Sequence, residues 1–114
     1  MNPLLDITDN SFSKEVLQSD LPTIVDFSGT WCASCKPLTM NLEEIVAGYD
    51  GRLKVVKINV DNQPMIAGKY RIMTLPSLLF FKDGDLVDHV SGSLSKAKLA
   101  KLVAEFMKWY QIGE

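Results

Sequence analysis

Apolar positions recur along this chain with two spacings, and the places where one gives way to the other mark out its elements. Thr23-Ile24-Val25-Asp26-Phe27-Ser28 is apolar and β-branched around a single carboxylate, and predicts a buried strand. Beyond it, Leu38, Leu42, Ile45 and Tyr49 fall four, three and four residues apart, the spacing of one helix face. Pro37 suits the first turn of that helix, where no N–H partner is lost, and Asp50-Gly51 is its expected end. Leu53 to Val60 predicts a strand buried on two faces, with Lys57 an unexpected charge inside it.

Shorter signals complete the pattern. Leu4 to Ile7 is a candidate first strand, and Thr8-Asp9-Asn10 offers N-caps to a short helix holding Phe12, Val16 and Leu17. Asp20-Leu21-Pro22 stops that helix. Asp61-Asn62-Gln63-Pro64 starts another, carrying Met65, Ile66 and Tyr70. Thr74-Leu75-Pro76-Ser77 breaks the pattern before the strand Leu78 to Phe81, the turn Asp83-Gly84 and a partner strand from Leu86 to Ser91, which Gly92 ends. Ser93 or Ser95 caps a last helix, where Leu99, Leu102, Val103 and Phe106 form the stripe and Lys96, Lys98, Lys101 and Lys108 lie largely away from it; Trp109 and Tyr110 continue or cap it. Early strands joined through helices are parallel, and the last pair is an antiparallel hairpin. The expected class is α/β, a central mixed sheet of about five strands flanked by four helices.

Composition narrows the partners more than the fold. A chain of 114 residues, 46% apolar, is long enough for a core, and residues 1–114 read as a single domain. The net charge is −2, from 12 basic and 14 acidic residues spread along the chain, with no basic stripe for nucleic acid. No apolar run approaches a membrane span. Met1-Asn2-Pro3-Leu4-Leu5-Asp6 lacks the basic and apolar regions of a leader. A cytoplasmic protein without nucleic-acid or membrane partners is expected.

The chemistry is concentrated in Trp31-Cys32-Ala33-Ser34-Cys35-Lys36, which holds the only two cysteines. They fall where the strand hands over to the helix, so unpaired N–H groups and the positive end of the helix dipole favour a thiolate there. Such a dithiol attacks a disulfide with one sulfur and releases the product with the other. Cys32, ahead of the helix, is the expected nucleophile, and Cys35, one turn on, the more buried resolving thiol. The competing uses of the pair are zinc and a structural staple. Tetrahedral zinc takes four ligands, so with one histidine, His89, it would need carboxylates or a site shared across a dimer. A disulfide across so short a loop constrains the unfolded chain little. In a reducing compartment such a pair is more often catalytic or metal-binding than structural, and redox chemistry is the reading put ahead of both alternatives. Asp26 and Lys57 are a second candidate unit, because a carboxylate and an ammonium inside buried strands ease one another if those strands are neighbours. The unit is either a plain buried ion pair or a base for the Cys35 proton. Trp31 reads either as a flat wall beside the sulfurs or as a core aromatic. Gly92 reads as room for an approaching backbone or as a strand end. His89 is expected in solvent.

Asp26-Phe27, Trp31-Cys32, Cys35-Lys36, Lys57, Leu75-Pro76, Gly84 and Gly92 together give the chain a resemblance to the thioredoxins over nearly its whole length. The resemblance implies a thioredoxin fold in which Pro76 is cis and lies against the cysteine pair. It implies reduction of protein disulfides, a redox-active Cys32–Cys35 disulfide with no other cofactor and no metal, Asp26 and Lys57 as catalytic companions, and a monomer reduced by a thioredoxin reductase. Trp31, Ala33, Ser34, Leu75, Pro76 and Gly92 are the implied substrate-binding residues. Three positions depart from the family pattern: Ala33-Ser34 replaces Gly-Pro between the cysteines, Ser28 replaces an aromatic, and Met40 replaces a helix-kinking proline, which predicts a straighter helix. The first two bear on potential and partner set. A higher-potential oxidase or isomerase-like variant is therefore the close alternative, and a non-catalytic partner-binding subunit the distant one.

Overall fold

Residues 4–112 are described in the computed structural model; Met1 to Pro3, Gly113 and Glu114 lie outside the described residues. Five strands form one sheet in the order β1-β3-β2-β4-β5: β1 (Leu5–Asp6), β2 (Thr23–Ser28), β3 (Lys54–Asn59), β4 (Ser77–Lys82) and β5 (Asp85–Ser91). β1 and β2 run parallel to β3, while β4 is antiparallel to β2 and to β5. A single turn of helix over Ser13–Leu17, then α1 (Cys35–Ala47), α2 (Pro64–Lys69) and α3 (Lys96–Ile112), connect and cover them. This is the expected mixed α/β sheet.

The two spacings sort the side chains into two cores. Alternate strand residues Ile24, Val55, Leu78 and Phe80 meet Leu38 and Leu42 of α1 and Leu99, Val103, Phe106 and Met107 of α3. Their neighbours Val25, Phe27, Val56, Ile58, Leu79 and Phe81 form the second core with Phe12, Val16 and Ala67 of α2. β2 is buried on both faces, which is why it reads as a continuous apolar run. Met107 joins the α3 stripe in the core, and Leu102 is only half-buried.

Several local expectations change. Asp9 does not cap the helical turn after it. Its carboxylate accepts from Met65 N–H at 3.1 Å and Ile66 N–H at 2.9 Å, capping α2, while Asp9 N–H donates to Gln63 Oε1 at 2.9 Å. That exchange spans two segments but does the work of a capping box. Thr8 and Ser11 satisfy one another instead, each side chain accepting from the other's N–H. α1 stops at Ala47, and the chain turns through Asp50 (φ 48°) and Gly51 (φ 78°), so Tyr49 packs on the core from beyond the helix end. The hairpin turn places Asp83 at φ 51° and Gly84 at φ 82°. Gly84 is required there twice over, because a Cβ would also lie 2.8 Å from the Leu17 carbonyl oxygen. The final helix begins as expected, with Ser95 Oγ accepting from Lys98 N–H at 3.2 Å, and continues past Trp109 and Tyr110.

Candidate active site

β2 ends at Ser28, and the next residues carry the cysteines to the head of α1. Cys32 N–H donates to the Gly29 carbonyl at 3.3 Å and Cys35 N–H to the Cys32 carbonyl at 3.2 Å, so the loop closes by turns of its own backbone. Cys35 is the first residue of α1, and no acidic side chain sits in that first turn to oppose the helix dipole. The two sulfurs are joined as a disulfide, 2.13 Å apart. Their surroundings differ. Cys32 is partly exposed outside the helix, and Cys35 is 2% exposed. Ser34 does not use its hydroxyl to cap α1; Oγ lies 3.6 Å from Cys32 Sγ. Trp31 is 94% exposed, so the core-aromatic reading of it is wrong: the loop lifts it clear of both cores.

Just ahead of β4 the Leu75–Pro76 peptide is cis, and the Pro76 carbonyl accepts from Gly92 N–H at 2.8 Å. Leu75 packs on the second core, and Pro76 is buried. Gly92 has φ 88°, and a Cβ there would meet nothing within 4 Å. Its glycine is a matter of backbone conformation rather than of room within the chain. Ala33 and Ser34 are exposed, and His89 is exposed, with Nε2 3.0 Å from Ser91 Oγ.

Asp26 is 0% exposed and lies one strand from Lys57, as its partner in the β2–β3 register. The expected buried pair needs correcting. Lys57 is 31% exposed, and its Nζ forms an ion pair with Asp6 Oδ1 at 3.5 Å, because β1 brings Asp6 to the other side of Lys57 in register. In-register residues share a face, so Asp6, Lys57 and Asp26 form a row across the sheet, and Lys57 acts on Asp26 only as a nearby charge. The hydrogen bond to Asp26 comes from Thr39, whose Oγ1 donates to Oδ2 at 2.5 Å. Among the described residues Oδ1 has no partner. Burial pushes the carboxyl up to about 6, against the pull of the Thr39 hydroxyl and of Lys57, with Glu43 adding a little in the upward direction.

Beside this unit a cleft of about 660 Å³ opens to solvent, lined among others by Ser28, Cys35, Thr39, Glu43, Lys57 and Asn59. Ser28, at the family's aromatic position, contributes its small side chain to that wall. Thr39 and the cleft were missed in the sequence. The one available signal was a β-branched hydroxyl residue inside an amphipathic helix, where it is a poor helix former. Among the described residues no group of three or more His, Cys, Asp or Glu side chains is arranged to hold a metal ion, and no helix is long and apolar enough to cross a membrane.

Comparison with known proteins agrees with this geometry. The thioredoxin family model matches residues 3–105. Thioredoxin 1 of a Nostoc species is 38% identical over 107 residues, covering 94% of this chain and all of the relative. Thioredoxin 1 of Synechococcus elongatus is 43% identical over 94 residues, covering 82% of this chain and 88% of the relative. The thioredoxin of Rickettsia felis is 44% identical over 93 residues, covering 82% and 89%. With a redox-active disulfide at the head of α1 and relatives that match over most of its length, the chain belongs to the thioredoxin family and is a thiol–disulfide oxidoreductase, a reductase of disulfides.

Proposed function

We propose that the reduced protein opens disulfides in other proteins by two ordered exchanges, and that a thioredoxin reductase returns the electrons. The observation that carries this reading is the inequality of the two sulfurs, one reachable outside the helix and one buried as its first residue. The Cys32 thiolate attacks a sulfur of the substrate disulfide. One Cys32–substrate disulfide forms, and the other substrate sulfur leaves as a thiolate. Cys35 then attacks Cys32 Sγ, the internal disulfide forms, and the second substrate sulfur departs. Two electrons pass to the substrate, and the dithiol becomes the disulfide.

Cys35 must lose a proton before the second step. Thr39 lies one helical turn beyond Cys35 on the same face of α1, so its hydrogen bond holds the Asp26 carboxyl against the helix face that carries Cys35. Asp26 takes the proton, and Lys57 steadies the carboxylate before it does. A group held at about 6 is suited to that transfer near neutrality. Pro76 has no N–H, and its carbonyl is engaged by Gly92, so the backbone groups that meet a substrate chain are those of Leu75. Trp31, Ala33, Ser34 and Gly92 supply the surrounding contact surface. A cytoplasmic setting belongs to the same proposal, since a dithiol reductase is maintained where thiols stay reduced. The test is dithiol-driven reduction of insulin: the protein is expected to accelerate it catalytically, and a rate equal to that of the dithiol alone overturns the reading.

Ser34 is expected to raise the potential. Its N–H and its hydroxyl, at 3.6 Å, are both available to the Cys32 thiolate and favour the reduced form. Its φ of −75° is one that proline adopts, so Ser34→Pro removes an N–H and a hydroxyl with little change in backbone. The substitution is expected to lower the potential by about 30 mV, the equivalent of roughly one hydrogen bond, measured by equilibration with a dithiol buffer. An unchanged or higher potential contradicts the argument.

A further inference from the structure

We propose that the Thr39 hydroxyl decides where Asp26 ionises, and so sets the pH at which Cys35 can give up its proton; Thr39 is a positioning residue for the second exchange. The inference rests on Asp26 being the acceptor of that proton. Asp26 is wholly buried, and a carboxylate without donors in such a place is held strongly in its neutral form. Only Oδ2 has a hydrogen-bond donor among the described residues, and that donor is Thr39 Oγ1, at 2.5 Å.

The charged groups around Asp26 do not replace it. Lys57 faces it from β3 but is shared with Asp6 of β1. Glu43, on α1 with Thr39, opposes ionisation. The β4 residue in register with Asp26 is Leu78, which carries no charge. Cys35, on α1, titrates only in the reduced protein. The hydroxyl therefore outweighs Lys57 as the support for the charged form. Thr39 is also out of keeping with its helix. A β-branched hydroxyl residue weakens α1 locally, and its Oγ1 ordinarily bonds back to a carbonyl of the preceding turn. Here it turns to the sheet instead, and a residue that goes against local preference marks a tertiary task.

The experiment follows the Asp26 carboxyl carbon by NMR titration of the oxidised protein, and in parallel the pH profile of insulin reduction. It uses wild type, Thr39→Val, Thr39→Ser and Asp26→Asn. Thr39→Val keeps the shape of the side chain and removes the hydroxyl. It is expected to raise the carboxyl midpoint by about one pH unit, and to move the rising limb of the rate profile by the same amount, making reduction about fivefold slower near pH 6. Thr39→Ser, which keeps a donor, is expected to stay near wild type in both and shows that the site tolerates substitution. A Thr39→Val carboxyl that titrates where the wild type does overturns the role of Thr39, whatever the rates. A carboxyl midpoint that moves while the rate profile stays overturns it as well, and the Asp26→Asn profile then locates the failure. A profile unlike wild type means Asp26 is the acceptor without Thr39 governing it. A profile like wild type means Asp26 is not the acceptor.

Discussion

Asp26→Ala is expected to be more stable than wild type at about pH 8, by roughly 2 kcal/mol, and to lose that advantage as the pH falls toward about 4. The sign follows from which state holds the proton. In the folded protein burial raises Asp26 to about 6, while its reference value is 3.8. Between those values the folded state binds more protons than the unfolded state, so stability falls as pH rises through that window and stays lowered above it. The interval from 3.8 to about 6 corresponds to about 3 kcal/mol. Against that gain the substitution removes the Thr39 hydrogen bond and leaves a small gap, together costing about 1 kcal/mol. At low pH only the cost remains. Denaturant midpoints of both proteins at the two pH values check this. Destabilisation at the higher pH, or equal stabilisation at both, contradicts a buried carboxyl with a raised pKa. The same substitution is expected to slow insulin reduction at least roughly tenfold near neutrality, since Cys35 loses its proton acceptor. An unchanged rate leaves Asp26 a structural group only.

The second large effect separates the cysteines. Cys32→Ser is expected to abolish disulfide reduction and to trap no partner. Cys35→Ser is expected to accumulate partners in covalent mixed disulfides that a strong reductant releases. The reason is positional. Cys32 lies outside α1 and is partly exposed, whereas Cys35 is the first residue of the helix and is 2% exposed, out of reach of a substrate sulfur. With Cys35 absent, the first exchange still proceeds, and no internal thiol displaces the bound substrate. With Cys32 absent, the remaining thiol is the buried one. Non-reducing gels of the two variants after incubation with a disulfide-bonded protein read the result directly, and equal trapping by both contradicts the order of attack.

Stretches whose local pattern and global environment agree were the legible ones. β2 was bounded correctly because every residue from Thr23 to Phe27 is buried, leaving no ambiguity of face. The hairpin was readable from Asp83-Gly84, since few residues adopt two consecutive positive φ values. The cysteine pair was readable from composition and position together. The end of α1 is not legible in the spacing, because Tyr49 continues the apolar pattern after the backbone has left the helix.

What the sequence determined by itself is therefore the order and kind of the elements, the two-sided core and the chemistry of the cysteine pair. All of these follow from spacing along the chain or from residue type alone. Tertiary structure decided who meets whom. Asp9 caps a helix 56 residues away, Lys57 turns to Asp6 rather than locking onto Asp26, and Thr39 supplies the hydrogen bond to the buried carboxyl from 13 residues downstream. A polar group carries no periodic record of its partner. Its partner is whichever donor or charge the packed sheet and helices bring within about 3 Å, and that distance exists only once the chain has folded.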